Sequence, residues 1–283
     1  MLIIPAHAKV NLGVSVLSRR ADGLHDLASV LVPIDWHDLL TLRPAGRGDV
    51  TVGYWRDEAG MAPPAGEDLS LVAARLLLGG TGCGVRIDIV KRIPTRAGLG
   101  GGSADAAAVL RGLPSTLDIG EGALAALAFQ LGADVPALLY GGAWRVGGAG
   151  EVLEPQPMLD LNLAVAMTGE SSTPATFAAL RPEEYRGSDR IDALSATLAA
   201  GQHPRDELLG SDLEAAAVRA RPQLGRSLAR LRSATGLAWP LTGSGGACFQ
   251  LCPTAVDAEA TAAAARAAGI PARACRSVTA VAR

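Results

Sequence analysis

Gly98-Leu-Gly-Gly-Gly-Ser103 is the segment best able to hold a phosphate. Its three consecutive glycines leave the backbone without Cβ atoms, so N–H groups can close on an anion. The helix-forming run Ala104–Gly112 follows and would aim the positive end of its dipole at the same point. Ser103 adds a hydroxyl and is a good N-cap. The spacing is neither that of a Walker A loop, which needs Gly-Lys-Ser/Thr, nor that of the Gly-x-Gly-x-x-Gly dinucleotide fingerprint. Lys9 and Lys91 are the only lysines among 26 Lys plus Arg. Either they mark sites that need a compact ammonium rather than a guanidinium, or they are two surface survivors of an Arg-rich composition. Asp134, in Gly132-Ala-Asp-Val-Pro136, reads by itself as an ordinary turn residue.

The chain has 283 residues, 49% hydrophobic and 19% charged, with a net charge of -2. That length fits one large domain or two sharing a cleft, with a sizeable core. A near-neutral balance without basic, aromatic-studded runs argues against a nucleic-acid partner. No apolar stretch approaches the ~18 residues of a membrane span. The first residues lack a signal peptide's positive start. The expectation is a cytoplasmic protein. Cys83, Cys248, Cys252 and Cys275 have no zinc-ligand spacing and read as free, mostly buried thiols.

Period-two patterns predict strands over Val10–Leu17, Leu27–Ile34, Leu39–Leu42, Val50–Tyr54 and Val85–Val90, with a loop over Met61–Glu67. A helix over Asp68–Leu78 would be capped by Asp68, and another covers Gly122–Leu131. Two short strands flank Gly147–Gly150. Beyond Pro155–Pro157 the pattern is a strand over Leu163–Met167 and helices over Pro174–Leu180, Ile191–Ala200, Asp212–Ala220 and Gln223–Thr235. Strands over Ala238–Leu241 and Ala247–Leu251 bracket Thr242-Gly-Ser-Gly-Gly246. A helix over Ala255–Ala268 and a strand over Ala274–Ala282 close the chain. The reading is α+β: a β-rich N-terminal domain over residues 1–156 and an α+β C-terminal domain over 157–283, with the active site in the cleft.

Five segments in order carry a wider pattern: Pro5-Ala-His-Ala-Lys-Val-Asn-Leu12, Arg20-Ala-Asp-Gly-Leu-His-Asp26, the Gly98 loop, Gly132–Pro136 and Thr242–Gly246. Together they resemble the GHMP kinase superfamily over nearly the whole chain. The resemblance implies ATP-dependent phosphorylation of an alcohol, with Mg²⁺ accompanying ATP and no carboxylate cluster naming its ligands. Ala8–Leu12 with Arg20–His25 is most similar to members whose acceptor is a cytidine diphosphate-linked methylerythritol. By resemblance, Asp134 is the base that takes the hydroxyl proton and Lys9 its partner. Pro94, Gly98, Leu99, Gly100, Gly101, Gly102, Ser103 and Ala104 form the triphosphate cradle. Lys91 and Asp68 lie on the adenosine side. Asn11 and Thr173 line the methylerythritol end, His25 and Phe177 hold the cytosine, and Thr242–Gly246 supports the phosphate loop. Phosphoryl transfer relies mainly on positioning and charge stabilisation, and an ammonium beside a carboxylate favours its ionised, proton-accepting form. The family pattern is departed from at Leu24 (usually aromatic), Ala104 (usually a second Ser), Asp68 and Ser211 (usually Asn). Partners are expected to be small molecules, the state a monomer or homodimer. The competing readings are a GHMP kinase for another small alcohol and a non-catalytic ligand sensor on the same fold.

Overall fold

The computed structural model describes residues 1–56, 68–113 and 119–278. The predicted Met61–Glu67 loop and the end of the predicted last strand, from residue 279 on, lie outside them.

Two long strands organise the N-terminal domain. β1 (Leu2–Arg19) and β2 (His25–Ala45) pair antiparallel from Leu2↔Leu42 to Arg19↔His25. The sequence pattern anticipates only pieces of each, Val10–Leu17 in β1 and Leu27–Ile34 and Leu39–Leu42 in β2. Pro5 lies ahead of the predicted run in β1 and Pro33 inside one in β2, and register irregularities lie close by in the ladder, between His7 and Lys9 and between Asn11 and Gly13. Such irregularities turn side chains out of the regular pleat and often accompany active sites. Here they flank Lys9 and Asn11.

β3 (Val50–Arg56) runs parallel to β4 (Gly84–Lys91), and β4 pairs with the second half of β2. The first half of β2 pairs with β5 (Ala143–Gly148), which carries β6 (Val152–Gln156). On this sheet lie α1 (Leu69–Leu78), α2 (Gly101–Gly112), α3 (Glu121–Leu131) and α4 (Val135–Tyr140). Ile4, Leu40, Ile87 and the alanine face of α2 make one core. Small alanines there let α2 approach the sheet closely.

The C-terminal domain has its own sheet, ordered β10 (Ala272–Arg276), β7 (Asn162–Met167), β9 (Ala247–Cys252). It also holds α5 (Thr173–Ala178), α6 (Asp189–Ala199), α7 (Glu214–Ala220), α8 (Pro222–Thr235) and α9 (Ala255–Ala267). A two-residue strand, β8 (Gly210–Ser211), returns to pair with β1. Val10, Val30 and Ile34 pack in one cluster with Leu163, Val165 and Phe249, so the two domains share a core.

Two local expectations are corrected. Ser103 is not the N-cap of α2: the helix starts at Gly101, behind a left-handed Gly100 with φ 70°, so Ser103 lies in its first turn. Glycines that look too flexible for a helix are wound into it because their neighbours pack below. Ala238–Leu241 forms no strand, only a bridge from Leu241 to Cys248. Buried Trp239, at φ 45°, breaks the extended path.

Candidate active site

Lys9 is buried at the centre of β1, and its Nζ lies 3.3 Å from Asp134 Oδ2. Asp134 is the residue from which α4 starts, and its carboxylate makes no cap bond, so it stays free to face the ammonium. Lys9 also donates to Asn11 Oδ1 at 2.5 Å. Asn11 Nδ2 donates in turn to Ser29 Oγ at 2.8 Å, and Ser29 Oγ to Gly13 O. The amide orientation and the ammonium position are thus fixed from the sheet.

The phosphate loop abuts this pair. Lys9 N donates to Leu99 O at 2.9 Å, and a Cβ on Gly100 would stand 3.0 Å from Lys9 Cγ. From the other domain, Asn11 N donates to Thr242 Oγ1 at 2.8 Å. A Cβ on Gly243 would lie 3.0 Å from Asn11 Oδ1 and 3.4 Å from Lys9 Nζ. The two glycine segments are packed backbone to backbone: a Cβ on Gly98 would sit 2.1 Å from Gly245 O, and one on Gly246 2.7 Å from the Ala97 backbone. Gly98 also holds φ 76°. Arg96, in the same loop, holds a left-handed φ of 58°, and its carbonyl accepts from Ser171 N. Strained backbone of this kind concentrates where a site is over-determined by its surroundings.

Gly98→Ala is therefore expected to cost about 2–4 kcal/mol, the combined order of a left-handed Cβ and of overpacking. It should raise the KM for nucleotide as well. Gly102→Ala serves as comparison, since its Cβ would meet only Leu69 Cδ1 at 3.9 Å. Thermal unfolding of the two variants is the check, with equal melting temperatures as the adverse result.

Lys91 differs from its expected place beside adenosine. Its ammonium is turned inward and buried, donating to Asp38 Oδ2 at 2.5 Å and Asp105 Oδ2 at 2.7 Å. It lies directly under the loop, 3.3 Å from where a Gly101 Cβ would be. Asp38 Oδ1 also accepts from Arg92 N and Ile93 N, which fixes the strand-to-loop exit. Burial pushes the Asp105 carboxyl up to about 8, against the opposing pull of Lys91 and with the help of the like charge on Asp38. Its Oδ1 is a buried oxygen without a hydrogen bond. Asp38 and Asp105 escape sequence reasoning. The one available signal is a charged residue inside the otherwise small and apolar run Ala104–Leu110.

Asp68 caps α1 as expected, accepting from Ser70 N, Leu71 N and Ser70 Oγ on one oxygen and from Tyr54 Oη on the other. Burial, then the bond to Asp68, push the Tyr54 phenol far above its ordinary value. Pro94 lines a separate cavity of about 400 Å³ with Trp36 and Met167. Ser103 is half-buried and Ala104 buried in the first turn of α2.

A cavity of about 550 Å³ opens where the two domains meet, walled by Leu24, His25, Ala133, Thr173, Phe177 and Tyr185, among others. The His25 and Phe177 rings lie 4.9 Å apart and tilted, and Tyr185 lies 6.1 Å from His25. Burial, followed by the charge of Arg19, lowers the His25 pKa and favours a neutral ring. Thr173 Oγ1 lies 2.8 Å from Ser244 Oγ, which joins this wall to the second glycine segment. Ala133 places the cavity next to Asp134. Tyr185 has no sequence signal; the chain brings it there through α5 and the turn after it.

The model of the GHMP kinase N-terminal domain matches residues 68–142, and that of the GHMP kinase C-terminal domain matches 189–271. A 4-diphosphocytidyl-2-C-methyl-D-erythritol kinase of Acidovorax sp. (strain JS42) is 37% identical over 266 residues, 90% of this chain and 88% of its own. One from Thermus thermophilus is 40% identical over 250 residues, covering 87% and 86%. The chain belongs to the GHMP kinases. A crystal structure of 4-(cytidine 5'-diphospho)-2C-methyl-D-erythritol kinase superposes with a TM-score of 0.80 at 36% identity, covering 98% of this chain and 99% of that one.

The glycine loop and the start of α2 offer bare N–H groups to an anion. The Lys9–Asp134 pair stands beside that loop, and Ala133, which precedes Asp134, lines the aromatic-walled cavity. Among the described residues no three His, Cys, Asp or Glu side chains converge as a metal cage. No helix among the described residues is long and apolar enough to cross a membrane.

Proposed function

We propose that this chain transfers the terminal phosphoryl of ATP to the 2-hydroxyl of 4-diphosphocytidyl-2-C-methyl-D-erythritol, as a step in isoprenoid precursor synthesis. The observation that carries the reading is the 3.3 Å Lys9–Asp134 pair set between the glycine loop and the His25–Phe177 cavity. The acceptor hydroxyl gives its proton to Asp134 as its oxygen forms the bond to phosphorus. The bond from phosphorus to the bridging oxygen of ADP breaks, and the proton on Asp134 leaves to solvent with product. Lys9 holds the carboxylate in place and offsets negative charge on the transferring group. Backbone N–H groups of Gly98–Ser103 take the phosphates, Lys91 supports that loop from beneath, and the α1 start near Asp68 borders the adenosine. Asn11 and Thr173 face the alditol end, His25 and Phe177 the cytosine. Mg²⁺ accompanying the nucleotide would supply charge neutralisation, and the Ser103 hydroxyl in the first turn of α2 would help to hold it. The domain boundary falls between residues 156 and 157. The partners are small molecules, the compartment is the cytoplasm, and the protein acts as a monomer or homodimer.

Purified protein with ATP and Mg²⁺ is expected to turn over the cytidyl acceptor and to leave mevalonate and homoserine unchanged. Turnover of another alcohol alone would reassign the acceptor. Failure to transfer phosphate to any alcohol would favour a ligand sensor.

A further inference from the structure

Arg19 and Arg20 are neighbours with opposite surroundings. Arg20 is met by three carboxylates: Glu151 at 2.7 Å, Asp22 at 3.3 Å and Asp26 at 3.7 Å. Glu151 also accepts from Ala149 N, so Arg20 ties the β1–β2 turn to the β5–β6 turn. Arg19 is exposed, and among the described residues no carboxylate pairs with it. Its register partner is His25, whose imidazole feels its charge, and both line the 550 Å³ cavity. No Asp, Glu or Lys among the described residues stands on that wall, and Arg19 is its only arginine. The cavity is otherwise apolar and aromatic with one threonine, so a formal positive charge on its wall is left for a ligand.

An acceptor that joins a cytidine to an alditol through a diphosphate carries its negative charge between the two ends. A planar guanidinium, with parallel N–H donors, is the side chain best matched to such a group. We propose that Arg19 binds the diphosphate of the acceptor and so selects a nucleoside-diphosphate-linked alcohol over a neutral one. The inference rests on the acceptor assigned above and deepens it. Arg20 does not share the task, because its donors are already engaged by three carboxylates.

The test measures competitive inhibition by cytidine and by cytidine diphosphate against the wild type, Arg19→Gln and Arg19→Lys. It is run at pH 8, where His25 is neutral with or without its charged neighbour. Wild-type protein is expected to bind the diphosphate at least tenfold more tightly than cytidine. Arg19→Gln should weaken the diphosphate roughly 10- to 100-fold, the range of a lost charged hydrogen bond, while cytidine changes less than about twofold. Arg19→Lys should recover part of the loss. Raised salt should weaken the diphosphate less in Arg19→Gln than in the wild type. Equal losses for the two ligands, or no loss for either, would overturn the role of Arg19 while leaving the cytidine pocket intact. If the wild type bound neither ligand, the acceptor assignment itself would fall, and this proposal with it.

Discussion

Asp134→Asn is expected to lower kcat by on the order of 10²–10⁴-fold, the usual contribution of a positioned general base, with the KM for ATP changed little. The variant should fold normally. Asp134 makes no cap bond to α4, its side chain is about a third exposed, and an amide of the same shape still fits. Lys9→Met should fall by a similar factor for a different reason. It leaves the carboxylate without its ammonium and frees the Asn11 amide that Lys9 orients. Because the two side chains work as a unit, the double variant should be scarcely worse than either single one. Steady-state kinetics of the three variants on the cytidyl acceptor decide the matter. An Asp134→Asn enzyme retaining more than a tenth of wild-type kcat would remove Asp134 from the base position.

Lys91→Met carries the largest stability effect, though Lys91 lies outside the cavity. Removing the ammonium from this buried cluster strands the Asp38 carboxylate and, as pH rises through about 8, that of Asp105 as well, at a cost of about 3–5 kcal/mol. At a few °C per kcal/mol for a chain of this size, the melting temperature should drop by on the order of 10 °C. The effect should depend on pH with a definite sign. Asp105 has a folded-state pKa of about 8 against an ordinary 3.8, so the folded chain binds its proton more tightly than the unfolded chain does. Its favourable contribution is complete below about 3.8 and is lost as pH rises through about 8. Burial opposes the charge on Lys91, but Asp105 and Asp38 together hold the ammonium above its ordinary range. Loss of that ammonium removes the main influence that lowers the Asp105 pKa. The variant should therefore be nearest to wild type at pH 5 and worst at pH 9. Thermal unfolding at the two pH values is the measurement, and a pH-independent difference, or one below about 2 °C, would show that the cluster does not support the loop.

The site is legible in the sequence to the extent that its chemistry depends on local runs. Three glycines before an alanine-rich stretch signal a phosphate loop because no other residue lets backbone N–H groups approach an anion so closely. The scarcity of lysine singles out Lys9 and Lys91, yet their surroundings diverge: one faces Asp134, the other is sealed beneath the loop. Ser103 is not the cap its type suggests, because cap preference is a local tendency. The packing of Gly100 on Lys9 and of Gly101 on Ile93 moves the helix start three residues earlier than the sequence would place it. β1 and β2 are legible only in fragments, since the register irregularities break the alternation that marks a strand. The aromatic Tyr185 and the buried Asp38 have no local signature at all.

By itself the sequence determined the fold class, the glycine loop and the Lys and Asp side chains at hand, because hydrophobic period, glycine content and the Lys/Asp inventory are properties of short segments. Only the tertiary structure decided that Lys9 and Asp134, far apart along the chain, stand at 3.3 Å, that the glycines of residues 98 and 245 interlock, and that Lys91 faces inward. Those contacts join distant segments, and their distances follow from how the two sheets and α2 pack, which no local propensity encodes.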